Sequence, residues 1–291
     1  MIFKVSIDAG HSNATGGKRT PNMTENLYIN GKLVREKGKP IHEFEFNSLV
    51  AKAIGNALQR HGIQVKYVND MTGKTDTPLS TRASRANEWG SDIHISCHYN
   101  AVGSCASFQT KAHGLLVLKT ANCSSKSSTL ATRVHEAIKG NYSHTYGVGV
   151  DKQWSGFTLA ILRQTKMPAI LIEFGFMDYK PEALKMLDPA WYNKLGEDTC
   201  KGICNYFGIT YKPTSVSKPV ETTTTSTTNP IYKVIVDELN IRQGPGTSYP
   251  VVGSVRKGEA YTITQMSGSW GKLKSGRGWI NCNAKYCTKV R

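Results

Sequence analysis

The stretch from Lys212 to Pro230, KPTSVSKPVETTTTSTTNP, constrains the fold of this chain more than any other segment. It holds almost no side chain that could be buried in a core, so it reads as a linker. About 210 residues precede it and about 60 follow, each an ordinary domain size. Two domains are therefore expected, residues 1–211 and 231–291, joined by a Thr/Ser/Pro-rich tether at 212–230. With 39% hydrophobic residues over 291 positions, the composition supports globular cores. No apolar run approaches the roughly 18 residues of a membrane helix. The start, Met1-Ile2-Phe3-Lys4-Val5-Ser6-Ile7-Asp8, lacks the basic, apolar and cleavage regions of a secretion signal and reads as a strand. Synthesis in a cytoplasm, with export by some other route, is the expectation.

The first part alternates strand and helix patterns. Strands are expected at Phe3–Asp8, Gln64–Val68, Asp92–His98, Gly114–Lys119, Thr158–Arg163 and Ala169–Phe174. Helices are expected at Asn47–His61, where Val50, Ile54 and Leu58 keep helical spacing and Gly62 is a stop, and at Leu79–Trp89 and Ser127–Lys139. Asp188-Pro189 supplies an N-cap and first-turn proline for a last helix ending at Gly208. Such alternation predicts an α/β domain, a mostly parallel sheet covered by helices. The polar stretch between His11 and Glu43 is long for a connection. Within it, Asn30-Gly31 between apolar neighbours signals a hairpin that could face a substrate. Residues 231–291 are rich in turn formers, with short runs at Lys233–Val236, Ala260–Thr264, Gly271–Lys274 and Gly278–Asn281, and predict a small all-β barrel.

A net charge of +16 calls for an anionic partner, and residues 231–291 alone carry ten Lys/Arg against three Asp/Glu. There is no arginine-rich helix or recognisable reading motif, so nucleic acid is not the expected partner. A polyanionic bacterial wall fits an evenly basic protein at least as well. The seven cysteines are odd in number and lack metal-ligand spacing; although Cys200 and Cys204 lie one helical turn apart, no second pair completes a site. Buried reduced thiols are expected.

Chemistry concentrates at strand ends. Asp8-Ala9-Gly10-His11 follows the first strand, His98 ends Asp92–His98, and Glu173 falls at the end of the apolar run AILIEF. Sites in open α/β sheets form beyond the carboxyl ends of strands, so these three can converge. Glu43 shares a helical face with Asn47, Val50, Ile54 and Leu58 and so points inward, whereas Glu45 points elsewhere. Two imidazoles and a carboxylate suffice for a catalytic zinc with one open position, and a second carboxylate can take a proton from water. A glutamate in an apolar strand is costly to bury unpaired, which singles out Glu173. His94 reads as a packed strand residue, and His42, His61, His113, His135 and His144 as surface or structural.

Several motifs resemble one family. DAGHS, Glu43-Phe44-Glu45-Phe46-Asn47, Leu79-Ser80-Thr81-Arg82 with Ala86-Asn87, Ser96-Cys97-His98-Tyr99-Asn100-Ala101, and Pro168-Ala169-Ile170-Leu171-Ile172-Glu173-Phe174-Gly175-Phe176 occur in the order seen in zinc-dependent N-acetylmuramoyl-L-alanine amidases of the type-3 class. That resemblance implies His11, Glu43 and His98 as zinc ligands, Glu173 as general base, and Arg82 and Asn100 as substrate-binding residues. The insertion after His11 departs from the family's often shorter loop. Leu239-Asn240-Ile241-Arg242-Gln243-Gly244-Pro245-Gly246-Thr247-Ser248-Tyr249 resembles the opening of bacterial SH3-like wall-binding domains, with Val255-Arg256-Lys257-Gly258 and Gly278-Trp279-Ile280 as later landmarks. Tyr249, Trp270 and Trp279 could be core or line a groove. Together the resemblances imply a peptidoglycan hydrolase cutting between N-acetylmuramic acid and L-alanine, similar to a phage endolysin that reaches the wall after release. A host autolysin, a zinc carboxypeptidase of wall peptides and a non-catalytic wall binder are the alternatives.

Overall fold

A computed structural model describes residues 2–213, 229–247 and 249–290. Most of the expected linker, residues 214–228, lies outside the described residues, as does Ser248. The chain divides into two compact units, Met1–Val216 and Ser217–Arg291.

The first unit runs β1 (Lys4–Ala9), β2 (Leu27–Ile29), β3 (Lys32–Arg35), α1 (Glu43–Arg60), β4 (Gln64–Tyr67), α2 (Leu79–Glu88), β5 (Ile93–Asn100), β6 (Leu115–Lys119), α3 (Ser125–Ile138), β7 (Thr145–Val150), α4 (Asp151–Ser155), α5 (Ala160–Gln164), β8 (Ala169–Phe176), α6 (Lys180–Ala183) and α7 (Pro189–Phe207). Six strands form one sheet in the order β4-β1-β5-β8-β6-β7. The β4, β1, β5 and β8 strands are parallel; β6 and β7 run together in the opposite sense, β6 pairing antiparallel with β8.

Strand pleating sorts the side chains onto two faces. Val5, Ile7 and Ala9, Ile93, Ile95, Cys97 and Tyr99, and Ile170, Ile172 and Phe174 join α1, α3 and α7 in the main core. Leu116, Leu118, Ala169 and Leu171 face the other way and meet Ala83 of α2 and Ile161 and Leu162 of α5. Helices therefore cover both faces, as the βα alternation predicts. On that second face, β1 and β5 carry a buried polar seam: Ser6 Oγ stands 3.0 Å from His94 Nδ1, and Ser96 Oγ donates to Asp8 Oδ2 at 2.9 Å.

Around the antiparallel edge of the sheet the structure differs from expectation. Thr158–Arg163 is not a strand: Leu159 N–H donates to Asp151 Oδ2, and Leu159 O then accepts from Leu162 and Arg163 to open the short helix α5. A six-residue apolar run fits one helical turn as well as a strand, and packing against β8 decides it. The Thr145–Val150 strand was not expected, because its two glycines weaken the strand signal; it survives as an edge strand paired only with β6. The Asn30-Gly31 hairpin forms as β2–β3.

The second unit is all β: β9 (Ile231–Val234), β10 (Glu238–Arg242), β11 (Val251–Arg256), β12 (Ala260–Ser267), β13 (Trp270–Leu273), β14 (Trp279–Asn281) and β15 (Cys287–Lys289), ordered β11-β10-β14-β13-β12-β9-β15. Its core is built around Val234, Leu239, Ile241, Val255, Ile263, Leu273 and Ile280. Trp279 is buried, Tyr249 is exposed, and Trp270 lines a cleft with Asn240, Arg242 and Tyr286.

Candidate active site

The β5–β8 register pairs His98 directly with Glu173, so both side chains leave the same face at the carboxyl ends of neighbouring strands. Next to them β1 ends, where Gly10 N–H donates to Cys97 O at 2.9 Å. A Cβ on Gly10 would stand 2.2–2.6 Å from three atoms of the His98 imidazole. Only a glycine lets that ring lie across the turn. His11 follows with φ at 64°, a left-handed conformation that costs a non-glycine residue of order 1 kcal/mol.

Arg82 holds this strained turn in place. Its side chain is 1% exposed and every donor is engaged: Nε on Thr77 O, Nη1 on Asp8 Oδ1 and Ala9 O, Nη2 on His11 O and Asp76 Oδ1. All of its donors thus have partners within the protein, so the substrate contact expected of Arg82 would have to displace one of them. Sequence could identify the residue but not its direction, which depends on where the fold sets α2 beside the end of β1.

Glu43 enters from the first turn of α1. It is 2% exposed; Oε2 lies 3.3 Å from His11 Nε2 and Oε1 lies 3.0 Å from His98 Nδ1. Asn47 Nδ2 and the Tyr99 N–H each donate to Oε1 at 3.1 Å, fixing the carboxylate. Glu45 is directed elsewhere: it accepts the His42 N–H at 2.8 Å, completing a capping box, and pairs with Arg35 of the hairpin. The loop after His11 packs back onto this helix start, with Lys18 O accepting the Glu43 N–H at 2.9 Å. Gly17 and Lys18 of that loop line the site, together with His11, Glu43, His98, Asn100 and Glu173, around a cleft of about 140 Å³. The hairpin strands do not line it.

The electrostatics follow from burial and proximity. Burial raises the Glu43 pKa, but the two imidazoles and the Tyr99 amide outweigh it and hold the carboxyl at about 2. Burial pulls His11 down to about 4, against the opposing pull of Glu43. Burial also disfavours charged His98, but its hydrogen bond to Glu43 overrides that and raises it. Glu173 is pushed up to about 7 by burial, with His98 opposing and Glu43 reinforcing, and its Oε2 is buried with no hydrogen-bond partner among the described residues.

Ligand atoms of His11, Glu43 and His98 all lie within 4.8 Å of one another. Two neutral-capable imidazoles and an ionised carboxylate, with an open cleft beside them, fit a divalent metal of the zinc type. Among the described residues one other group, His61, Cys200 and Cys204, is similarly close. There His61 Nε2 accepts the Lys212 N–H at 2.7 Å, which leaves the proton on Nδ1, 2.8 Å from Ala57 O. Both ring nitrogens are thus engaged in tying the end of α1 to the segment after α7. Sequence spacing could not bring His61 to the two cysteines, because only the α1–α7 packing does.

The family model for N-acetylmuramoyl-L-alanine amidase matches residues 5–205, spanning every element of this site. The chain belongs to the N-acetylmuramoyl-L-alanine amidase family. A bacterial SH3 domain model matches residues 237–286. This amidase is 28% identical over 212 residues to the endolysin of Bacillus phage SPP1, a match covering 73% of this chain and 69% of that one. It is 24% identical over 217 residues to the amidase CwlM of Bacillus licheniformis, covering 75% and 74%. Among solved structures, the amidase from Clostridium difficile 630 superposes with a TM-score of 0.56 at 25% identity, over 71% of this chain and 97% of that one. The substrate of the amidase is peptidoglycan, cut at the amide between N-acetylmuramic acid and L-alanine. The family is generally metal-dependent, and the His11–Glu43–His98 group is suited to hold the ion. Among the described residues no helix is long and apolar enough to cross a membrane.

Proposed function

We propose that His11, Glu43 and His98 hold a zinc ion, that Glu173 is the general base, and that the protein acts as a phage endolysin on the wall of its host. When bound, zinc supplies Lewis acidity, polarising the scissile carbonyl and lowering the pKa of water at the site. Glu173 takes the proton from the attacking water and returns it to the departing L-alanine amine. Asn47 and the Tyr99 amide keep Glu43 oriented, the supporting contacts on which ligand affinity depends. Asn100 lines the same cleft; its Oδ1 accepts the Ala101 N–H at 2.8 Å and its amide nitrogen has no protein partner among the described residues, so it can donate to the stem peptide.

The single observation that carries the base assignment is the unpartnered, buried Oε2 of Glu173 beside His98, a carboxylate kept for a group that the protein itself does not provide. The endolysin reading draws support from the phage relative; the 24% identity over 216 residues to the sporulation-specific amidase of Bacillus subtilis keeps the host autolysin as a second reading. Glu173→Gln tests the mechanism. It is expected to retain stoichiometric zinc while turnover falls by roughly 10²–10⁴-fold. Substantial turnover in that variant removes Glu173 from the role. Mass spectrometry of digested wall separates the amidase from a carboxypeptidase: stem peptides with a free L-alanine amino terminus are expected.

A further inference from the structure

A second, larger cavity of about 910 Å³ opens at the opposite rim of the catalytic sheet. Because β6 runs antiparallel to β8, the Lys119 end of β6 lies beside the Ala169 start of β8, whereas Glu173 and His98 sit at the other end. Four cations line the cavity: Lys126 from the first turn of α3, Lys152 from α4, Arg163 from α5 and Lys166 from the α5–β8 connection. Among the described residues no carboxylate lines it. None of the four forms an ion pair among the described residues. Asp151, beside Lys152 in the chain, is buried and accepts the backbone N–H groups of Lys152 and Leu159 instead. Four like charges drawn from separate segments and left without counter-charge repel one another, and a bound anion relieves that repulsion.

We propose that this cavity binds the phosphodiester backbone of an anionic wall polymer of the poly(polyol phosphate) kind, holding the catalytic unit on the wall independently of the second unit. The proposal rests on the reading that the protein works on bacterial walls. Three lysines supply point charges for phosphate, and the hydroxyls of Thr120 and Thr158 can donate to its oxygens. Among the described residues no aromatic ring lines the cavity, so neither nucleobases nor sugar rings would find a stacking platform. What the cavity offers is charge and hydroxyl donors, which suits a polymer whose repeating feature is a phosphate. The volume is large enough for more than one repeat, whereas the 140 Å³ catalytic cleft is not.

The test uses the full chain and purified poly(glycerol phosphate), titrated calorimetrically over a range of salt. Lys126→Gln/Lys152→Gln/Arg163→Gln/Lys166→Gln is compared with a charge-matched control, Arg256→Gln/Lys257→Gln/Lys274→Gln/Lys285→Gln, in the second unit. The cavity variant is expected to lose about tenfold or more in affinity and to show a shallower salt dependence, by roughly 0.7 in slope for each phosphate contact removed. The control should retain most of the affinity. Both variants should hydrolyse a soluble muropeptide at the unsubstituted rate, which keeps this proposal separate from the catalytic one. The double variant Lys152→Gln/Lys166→Gln is expected to give an intermediate loss and serves should the quadruple variant misfold. Unchanged polymer affinity in the cavity variant, or an equal loss in the control, overturns the proposal. Equal cavity-dependent binding of duplex DNA or poly-γ-glutamate also overturns it, since the site would then not select a polyol phosphate.

Discussion

Gly10→Ala probes the site at its tightest point. A methyl group there would stand 2.2 Å from His98 Cε1 and 2.4 Å from Nε2. Ordinary carbon contacts begin near 3.5 Å, so the imidazole must retreat by roughly 1 Å. Metal–ligand distances tolerate only about 0.2 Å. The variant is therefore expected to lose on the order of 100-fold in zinc affinity, equivalent to about 2.7 kcal/mol, with a comparable loss of hydrolysis. The fold itself should suffer little. Gly10 is not among the positive-φ glycines, so alanine meets no backbone strain, and reduced freedom of the unfolded chain contributes about 0.4–1 kcal/mol in its favour. Gly16→Ala is the control, with nothing within 4 Å of its added methyl and no positive φ. Zinc affinity read by competition with a chromogenic chelator, release of amino-terminal L-alanine peptides and thermal unfolding complete the assay. Gly10→Ala protein with unaltered zinc affinity and turnover would refute the argument that His98 must lie over residue 10 to serve as a ligand.

Two further outcomes separate neighbouring residues. Glu43→Gln should strip the metal by about 100-fold or more, whereas Glu45→Gln should leave metal and turnover intact and cost only about 0.5–1 kcal/mol through its cap and ion pair, measured by elemental analysis and urea unfolding. Buried His94 is held neutral, its pKa lowered to about 4 first by burial and then by Arg82, with Asp8 opposing. The unfolded chain binds this proton more readily, near pH 6.5, so stability falls as pH drops from 6.5 toward 4. Between pH 7 and pH 5 that loss amounts to about 2 kcal/mol, and in chelator-treated protein His94→Leu should flatten the wild-type decline by this amount in urea titrations. An unchanged slope would show that His94 does not titrate in this range.

The sequence alone determined those parts of the protein that depend on local pattern. Alternating apolar runs and turn residues give a strand or helix its periodicity, which made the sheet, its covering helices, the Asn30-Gly31 hairpin and the all-β second unit legible. The strand-end positions of His11, His98 and Glu173 were legible for the same reason, because the carboxyl end of a strand is a property of its own residues. Ambiguity appeared where a run was too short to carry a period, as at Thr158–Arg163, or was interrupted by glycines, as at Thr145–Val150.

Tertiary structure decided everything that depends on direction or on distance between elements. Only packing turned Arg82 inward, with all its donors on the β1 end and the Asp76 loop, and only the capping box and Arg35 drew Glu45 away from the cleft that Glu43 enters. The antiparallel placement of β6 against β8 gathers Lys126, Lys152, Arg163 and Lys166 around one cavity although they are spread over some forty residues. A side chain's neighbours across a sheet follow from strand order and register, and these are set by burying the whole core together rather than by any segment read alone.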